Sequence, residues 1–348
     1  MRELAEEILR GEEAWVVGGA VRDELLEREV IDLDIACRDP ERAARDYAQR
    51  SGGAPFPLSE RHGAWRVALE GERTVDFTPL RDGIEDDLAT RDFTINAIAV
   101  PLAGGEPADP FAGQADLEGR VLRAVSQSVF EDDPLRLLRA VRLEEELGLR
   151  LDGETEQLVR EHAGLVGRPA GERIVGELLR LGPSGYRRAD ELGLLAPLGG
   201  SVGRLDLGSA ESPAFRLVSV FGEALQRLPV PNELRRYART LFGAERPADD
   251  GPRAIHRFRR ATEPWALDAL AFVDAGDLAD AVRAARENDP AEPLLRGDEI
   301  LDVGVQAGPE VGRLLELVEE ERAAGTISTR EEALELVRRE LHAAGTES

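Results

Sequence analysis

Lysine is missing altogether: all 44 basic residues of this 348-residue chain are arginine. Any phosphate held by the chain must therefore be met by guanidinium groups, backbone N–H groups or a metal ion, and arginine is competent for the task. Cysteine is nearly absent. With Cys37 alone, no internal disulfide can form, and a reducing compartment, the cytoplasm, is expected. No apolar run approaches the ~18 residues of a membrane span, so no membrane partner is expected. The opening MRELAEEILRGEEAW reads as an acidic amphipathic helix and not as a secretory leader. Positive charge is scarce too, with a net charge of -25. That balance disfavours non-specific binding to nucleic acid, yet totals govern solubility more than they govern local sites.

What is present describes an ordinary globular protein, 42% hydrophobic and 32% charged, long enough for two or more domains. The first third alternates short strands with helical patterns. AWVVGG reads as strand and turn, AVRDELLE as helix, VIDLDIA as strand and PERAARDYAQR as helix. AWRVALE and RTVDFT form a strand pair around Gly71 and Glu72. From about Phe130 the pattern is helical almost throughout, beginning with PLRLLRAVRLEEELG, where Pro134 suits a first helical turn. A turn-rich patch over residues 197–213 marks a boundary. The expected organisation is a mixed head over 1–127, a helical neck over 128–196, and a helical body and tail over 197–348.

Asp32 and Asp34, two apart on a strand, share one face. Hard carboxylate oxygens so placed suit Mg²⁺, and paired ions serve phosphoryl transfer by activating an attacking hydroxyl and steadying a departing oxygen. A solvated strand edge carries the same pattern. Upstream, Gly18 and Gly19 precede a helix beginning around Ala20, where a phosphate can approach backbone N–H groups, with Arg22 in reach; a plain tight turn also satisfies the spacing. Asp76, on a neighbouring strand, is either a third member of an acid triad or a solvent-facing residue. Asp133 and Arg136, three apart, are expected on one helix face, which an ordinary ion pair worth about 0.5 kcal/mol also explains.

In the order GGAVRD, DLDIA, RDFTINA and DDPLRLLRAVR, these pieces resemble the class II tRNA nucleotidyltransferases, the CCA-adding and CC-adding enzymes and their poly(A) polymerase relatives. The resemblance covers roughly residues 10–190 strongly and the remainder weakly. It implies an α+β fold: a DNA polymerase β-like nucleotidyltransferase head with a mixed sheet, followed by an all-α neck, body and tail. It implies Mg²⁺ held by Asp32 and Asp34, to which Asp76, by its own strand position, would add a third ligand or a supporting catalytic base, and it implies a triphosphate contacted by Gly18, Gly19 and Arg22. Arg91, Asp92 and Asn96 would support triphosphate and ribose, although Asn96 also reads as a buried structural amide. Asp133 and Arg136 would read the base. A carboxylate accepts and a guanidinium donates, which matches the pairing edges of cytosine and adenine and mismatches those of uracil and guanine. Arg139 and Arg142 would position that pair or meet phosphate. The implied partners are the 3′ end and acceptor arm of tRNA, CTP and ATP, with no protein partner; the implied reaction is template-independent transfer of CMP, and in full CCA-adding members also AMP, with release of pyrophosphate.

The chain departs from the family pattern at three places. Thr90 stands where the family has the first of two arginines, and Asp132 where it has glutamate. The stretch between Thr78 and Arg91, PLRDGIEDDLAT, is shorter than the loop that full CCA-adding members use to switch from C to A, and resembles CC-adding enzymes. None of His62, His162, His256 and His342 is followed by aspartate, so the family's accessory phosphohydrolase is not expected. ELRRYART and RAIHRFRR interleave Arg235, Arg236, Arg257 and Arg259 with Tyr237 and Phe258, a mixture suited to RNA backbone and bases and equally to solvated helix faces. A catalytically inactive RNA-binding relative, CC addition without a terminal A, and transfer to an acceptor other than tRNA remain as alternatives.

Overall fold

A computed structural model describes residues 1–59, 63–80, 82–205 and 212–346. His62, Arg81 and residues 206–211 of the turn-rich patch lie outside the described residues. The chain divides into two compact units, Met1–Ser201 and Val202–Ser348.

The first unit is built on a six-stranded mixed sheet. Its strands are β1 (Ala14–Val17), β2 (Asp32–Cys37), β3 (Ala54–Ser59), β4 (Ala64–Ala68), β5 (Thr74–Pro79) and β6 (Ala99–Pro101), in the order β3-β4-β5-β2-β1-β6. Only β2 and β5 run parallel; the other neighbours are antiparallel. Helices α1 (Arg2–Ile8), α2 (Gly19–Leu25), α3 (Pro40–Ser51) and α4 (Ile84–Ala89) lie between or before these strands. Period-two alternation sends Leu33, Ile35 and Cys37 to one face of the sheet, where Val67, Val75, Phe77 and the α3 residues Ala43, Ala44 and Tyr47 close the core. Asp32, Asp34 and Ala36 take the opposite face. Strand β3 carries no sequence signal because Pro55 and Pro57 demote it, and the structure puts it at the sheet edge, where proline is tolerated.

After α5 (Gly113–Glu118), a two-residue strand β7 (Val121–Leu122) pairs in parallel with β8 (Arg150–Leu151). Between them run α6 (Val129–Asp132) and α7 (Arg136–Leu147), followed by α8 (Gly153–His162), α9 (Gly171–Arg180) and α10 (Pro183–Glu191). The expectation that Asp133 and Arg136 share one helix is corrected here. Asp133 is extended, with φ −143° and ψ 98°, because the ring of Pro134 disfavours the helical conformation in the residue before it. The helix therefore restarts at Arg136, and Asp133 sits at the break with its carboxylate accepting from the Leu135 N–H at 3.2 Å.

The second unit is helical: α11 (Pro213–Phe221), α12 (Asn232–Gly243), α13 (Pro252–Thr262), α14 (Ala266–Phe272), α15 (Ala279–Glu287), α16 (Gly297–Asp302), α17 (Pro309–Ala323) and α18 (Arg330–Thr346). Ile300, Leu314, Val318, Ala333 and Val337 form one of its cores. No helix among the described residues is long and apolar enough to cross a membrane.

Candidate active site

Asp34 lies mid-strand on β2, flanked by Leu33 and Ile35, whose burial on the other face fixes which way it points. In register beside it on β5 is Asp76, and beside Asp32 is Thr74. The Thr74 hydroxyl donates to Asp32 Oδ1 at 2.7 Å, which leaves Asp32 exposed and oriented. Burial, followed by the negative charge of Asp76, pushes the Asp34 carboxyl from its ordinary 3.8 up to about 6, against the opposing pull of Arg91. An acid held there without a counter-cation is strained electrostatically, and a divalent ion is the natural relief.

Asp76 does not join a three-acid cluster. Arg66, opposite it on β4, donates from Nε and Nη2 to its two carboxylate oxygens, both at 2.7 Å. Among the described residues, no group of three or more histidine, cysteine, aspartate or glutamate side chains can hold a metal ion. Two carboxylates still fit Mg²⁺, which commonly takes one or two protein carboxylates and completes its shell with water and substrate phosphate. Asp32 and Asp34 supply hard oxygen donors of that kind; Asp76 is already neutralised.

The turn from β1 into α2 approaches this acid pair closely. Gly18 has φ +69° and ψ −133°, a conformation open to glycine. A Cβ placed there would stand 3.4 Å from Arg91 Nη1 and 3.6 Å from Asp34 Oδ2. Arg22, one turn into α2, is locked by Asp23, which accepts from its Nε and Nη2 at 2.9 Å each, and its Nη1 donates to Asn96 Oδ1 at 2.7 Å. The chain of contacts continues inward. Asn96 Nδ2 donates to Asp92 Oδ1 at 2.9 Å, and Arg139 of α7 donates to Asp92 Oδ2 at 2.9 Å. Burial is the strongest influence on Asp92 and would raise it. The Arg139 charge and hydrogen bonds from Asn96 and the Phe93 N–H outweigh that influence and hold the carboxyl below its ordinary range. Asn96 is thus a buried amide, as one of its two readings has it, and it joins Arg22 of α2 to Asp92, which Arg139 of α7 also holds.

Asp133 and Arg136 face the same cleft but not each other. Arg173 of α9 donates to Asp133 Oδ2 at 2.8 Å. Arg136 donates to the Thr90 carbonyl at 2.7 Å and to the Val129 carbonyl at 3.4 Å. Arg91 is fixed by Asp87 at 2.6 and 3.1 Å. Arg142 also lines this cleft, and its charge is already met: it is buried, and donates to Glu177 and Glu146 at 2.6 Å each, which pins α7 to α9. Together these residues line a cleft of about 540 Å³ in which Gly18, Gly19, Arg22, Asp32, Asp34, Arg91, Asp92, Asn96, Asp133, Arg136 and Arg139 converge; Asp76 does not line it.

The arginines expected to meet RNA sit in the second unit, where several are already paired. Arg257 and Arg259 bind Glu320 and Asp289, Arg235 donates to the Val230 and Leu228 carbonyls, and Arg236 lies 5.8 Å over the Trp265 ring. The expected stacking partners are corrected: Tyr237 and Phe258 are buried, and the Tyr237 hydroxyl donates to Asp268 at 2.7 Å. Cys37 is buried and its thiol is pushed up to about 12 by that burial. Sequence reasoning missed Arg66 and Arg173. Arg66 was within reach, because a hairpin centred on Gly71 sets residue 66 opposite 76; Arg173 is 40 residues from Asp133 and had no local signal.

Comparison with known proteins decides the family. The Poly A polymerase head domain family matches residues 14–83 and 81–123. The A-adding tRNA nucleotidyltransferase of Deinococcus radiodurans is 34% identical over 94% of this chain and 95% of its own length. The chain belongs to the tRNA nucleotidyltransferase family. A CC-adding tRNA nucleotidyltransferase of Thermus thermophilus is 32% identical over 92% of each chain. The CC-adding enzyme of Geobacter sulfurreducens is 47% identical over 48% of this chain and 40% of its own length. The Thermotoga maritima CCA-adding enzyme complexed with tRNA shares the fold, with a TM-score of 0.74 and 23% identity over 98% of this chain and 94% of that one.

Proposed function

We propose that this enzyme transfers CMP from CTP to the 3′ hydroxyl of a tRNA lacking its terminal nucleotides, with Mg²⁺ held by Asp32 and Asp34. The observation that carries the reading is the convergence of that acid pair, the Arg22–Asn96 contact and the Asp133/Arg136 pair on one cleft. The triphosphate lies along Gly18, Gly19 and Arg22, whose side chain is held ready by Asp23 and Asn96. The 3′ oxygen bonds to the α-phosphorus, and the bond from that phosphorus to the pyrophosphate oxygen breaks. When bound, the metal supplies activation of the hydroxyl and stabilisation of the leaving oxygen. Asp133 accepts from the exocyclic amine of cytosine, and Arg136 donates to its ring nitrogen and carbonyl. Uracil would set acceptor against acceptor and donor against donor. Asp76, Arg91 and Arg139 support the pair and the cradle around it.

Addition of CC without the terminal A is the narrower form of this reading. Full-length relatives include both A-adding and CC-adding enzymes. What favours the CC form here is the segment before Arg91: α4 occupies it, Leu88 is wholly buried, and Asp87 holds Arg91, which leaves little chain to swing between two nucleotide-selecting states. The cytoplasm, where tRNA is processed and Cys37 stays reduced, is the fitting compartment. The test incubates the protein with truncated tRNA, Mg²⁺ and each labelled nucleotide in turn. Incorporation from CTP alone supports the CC form, and incorporation from CTP and then ATP supports full CCA addition. No incorporation from CTP, with RNA still bound, overturns the assignment in favour of a binding-only relative.

A further inference from the structure

One row of side chains crosses four strands of the head sheet. Asp34 on β2 is in register with Asp76 on β5, Asp76 with Arg66 on β4, and Arg66 with Phe56 on β3. Residues directly opposite share a face, so this row leads from the proposed metal-binding acids to the sheet edge. Its outer end is apolar and open: Phe56 is 41% exposed and Leu58, just beyond it, 46%. Midway along the row, Arg66 uses Nε and Nη2 on Asp76, and among the described residues Nη1 makes no hydrogen bond, with 34% of its side chain exposed. Pro55 and Pro57 deny the outer edge donors and so discourage pairing with another strand.

We propose that this row seats the unpaired 3′ end of the RNA acceptor, with Arg66 facing a backbone phosphate and Phe56 stacking on a base. The inference rests on the nucleotidyl-transfer reading. Strands about 4.8 Å apart put Phe56 about 14 Å from Asp34 along the sheet, a span suited to the terminal nucleotide and the one before it. An aromatic ring stacks on any base and a guanidinium meets any phosphate, which is what a single strand held without sequence choice requires.

The test compares the full chain with Phe56→Ala and Phe56→Trp, using truncated tRNA for kinetics and a hairpin RNA carrying 2-aminopurine in its unpaired 3′ tail for binding. We expect wild type and Phe56→Trp to quench the probe, and Phe56→Ala to lose the quenching and raise KM for tRNA about tenfold with KM for CTP unchanged. Unchanged quenching and KM for tRNA in Phe56→Ala would overturn the inference, as would an equal rise in both KM values. A shift in sedimentation with no change toward RNA would overturn it in favour of contact between two copies. Failure of the wild type to incorporate CMP would count against the proposed function; quenching lost in Phe56→Ala would still support this RNA seat.

Discussion

Replacing Asp34 by asparagine should abolish transfer and at the same time stabilise the metal-free protein, by an amount that grows with pH. The Asp34 carboxyl is raised from its ordinary 3.8 to about 6, first by burial and then by the charge of Asp76. Between those values the folded state binds more protons than the unfolded one, so wild-type stability falls as pH rises through the interval and levels off above it. The full difference corresponds to about 3 kcal/mol, and the partial opening of Asp34 to the cleft lowers this to about 2 kcal/mol. The assay is urea unfolding in excess chelator at several pH values. It uses a Trp265→Phe background, so that emission reports on Trp15 and Trp65 of the first unit. The stability of Asp34→Asn minus that of the parent should increase by about 2 kcal/mol from pH 4 to pH 7, and Mg²⁺ with CTP should shrink that margin by stabilising the parent. A difference that stays flat with pH, or moves the other way, would refute the argument that Asp34 is an anion awaiting a cation.

Asp32→Ala should lower transfer by at least about a thousandfold, as expected when a metal-supported phosphoryl transfer loses a ligand, while filter binding of tRNA persists. Arg136→Ala should reduce discrimination of CTP against UTP about tenfold or more, the scale of one two-point base contact, read from kcat/KM for each nucleotide. Arg142→Ala should destabilise the first unit by about 3–5 kcal/mol, because it strands the buried Glu177 without its partner, and thermal unfolding will show it. Asp92, held low by Arg139 and Asn96 despite its burial, contributes stability that is present at neutral pH and lost as pH falls through its lowered value. Acid unfolding of Asp92→Asn should therefore have a shallower pH dependence than that of wild type.

The strand–helix alternation of the head and the placement of Asp32 and Asp34 were legible in the sequence, because period-two burial leaves a mid-strand aspartate only one face to occupy. The turn of Gly18 and Gly19 from β1 into α2 was legible for a similar reason: small residues between a strand and a helix leave few alternatives. What escaped was decided by tertiary partners. Asp133 and Arg136 look like a helical pair at three-residue spacing, but Pro134 forbids the helix at Asp133 and hands that carboxylate to Arg173 of a later helix. Arg142 follows Arg139 at helical spacing, and the structure adds what the spacing could not show, that the buried Glu177 and the exposed Glu146 take its charge. Tyr237 and Phe258 look like stacking residues beside arginines, but on amphipathic helices they are the buried stripe.

The central claim is that Asp32 and Asp34 grip a divalent ion against the phosphates of the incoming nucleotide. A crystal of the protein with a non-hydrolysable CTP analogue and Mn²⁺ in place of Mg²⁺, with anomalous scattering recorded, puts that claim to the most direct trial. The account predicts a metal peak about 2.0–2.3 Å from oxygens of both carboxylates and in contact with the triphosphate. A nucleotide bound in the cleft with no peak beside these two acids, or a peak ligated elsewhere, would contradict it.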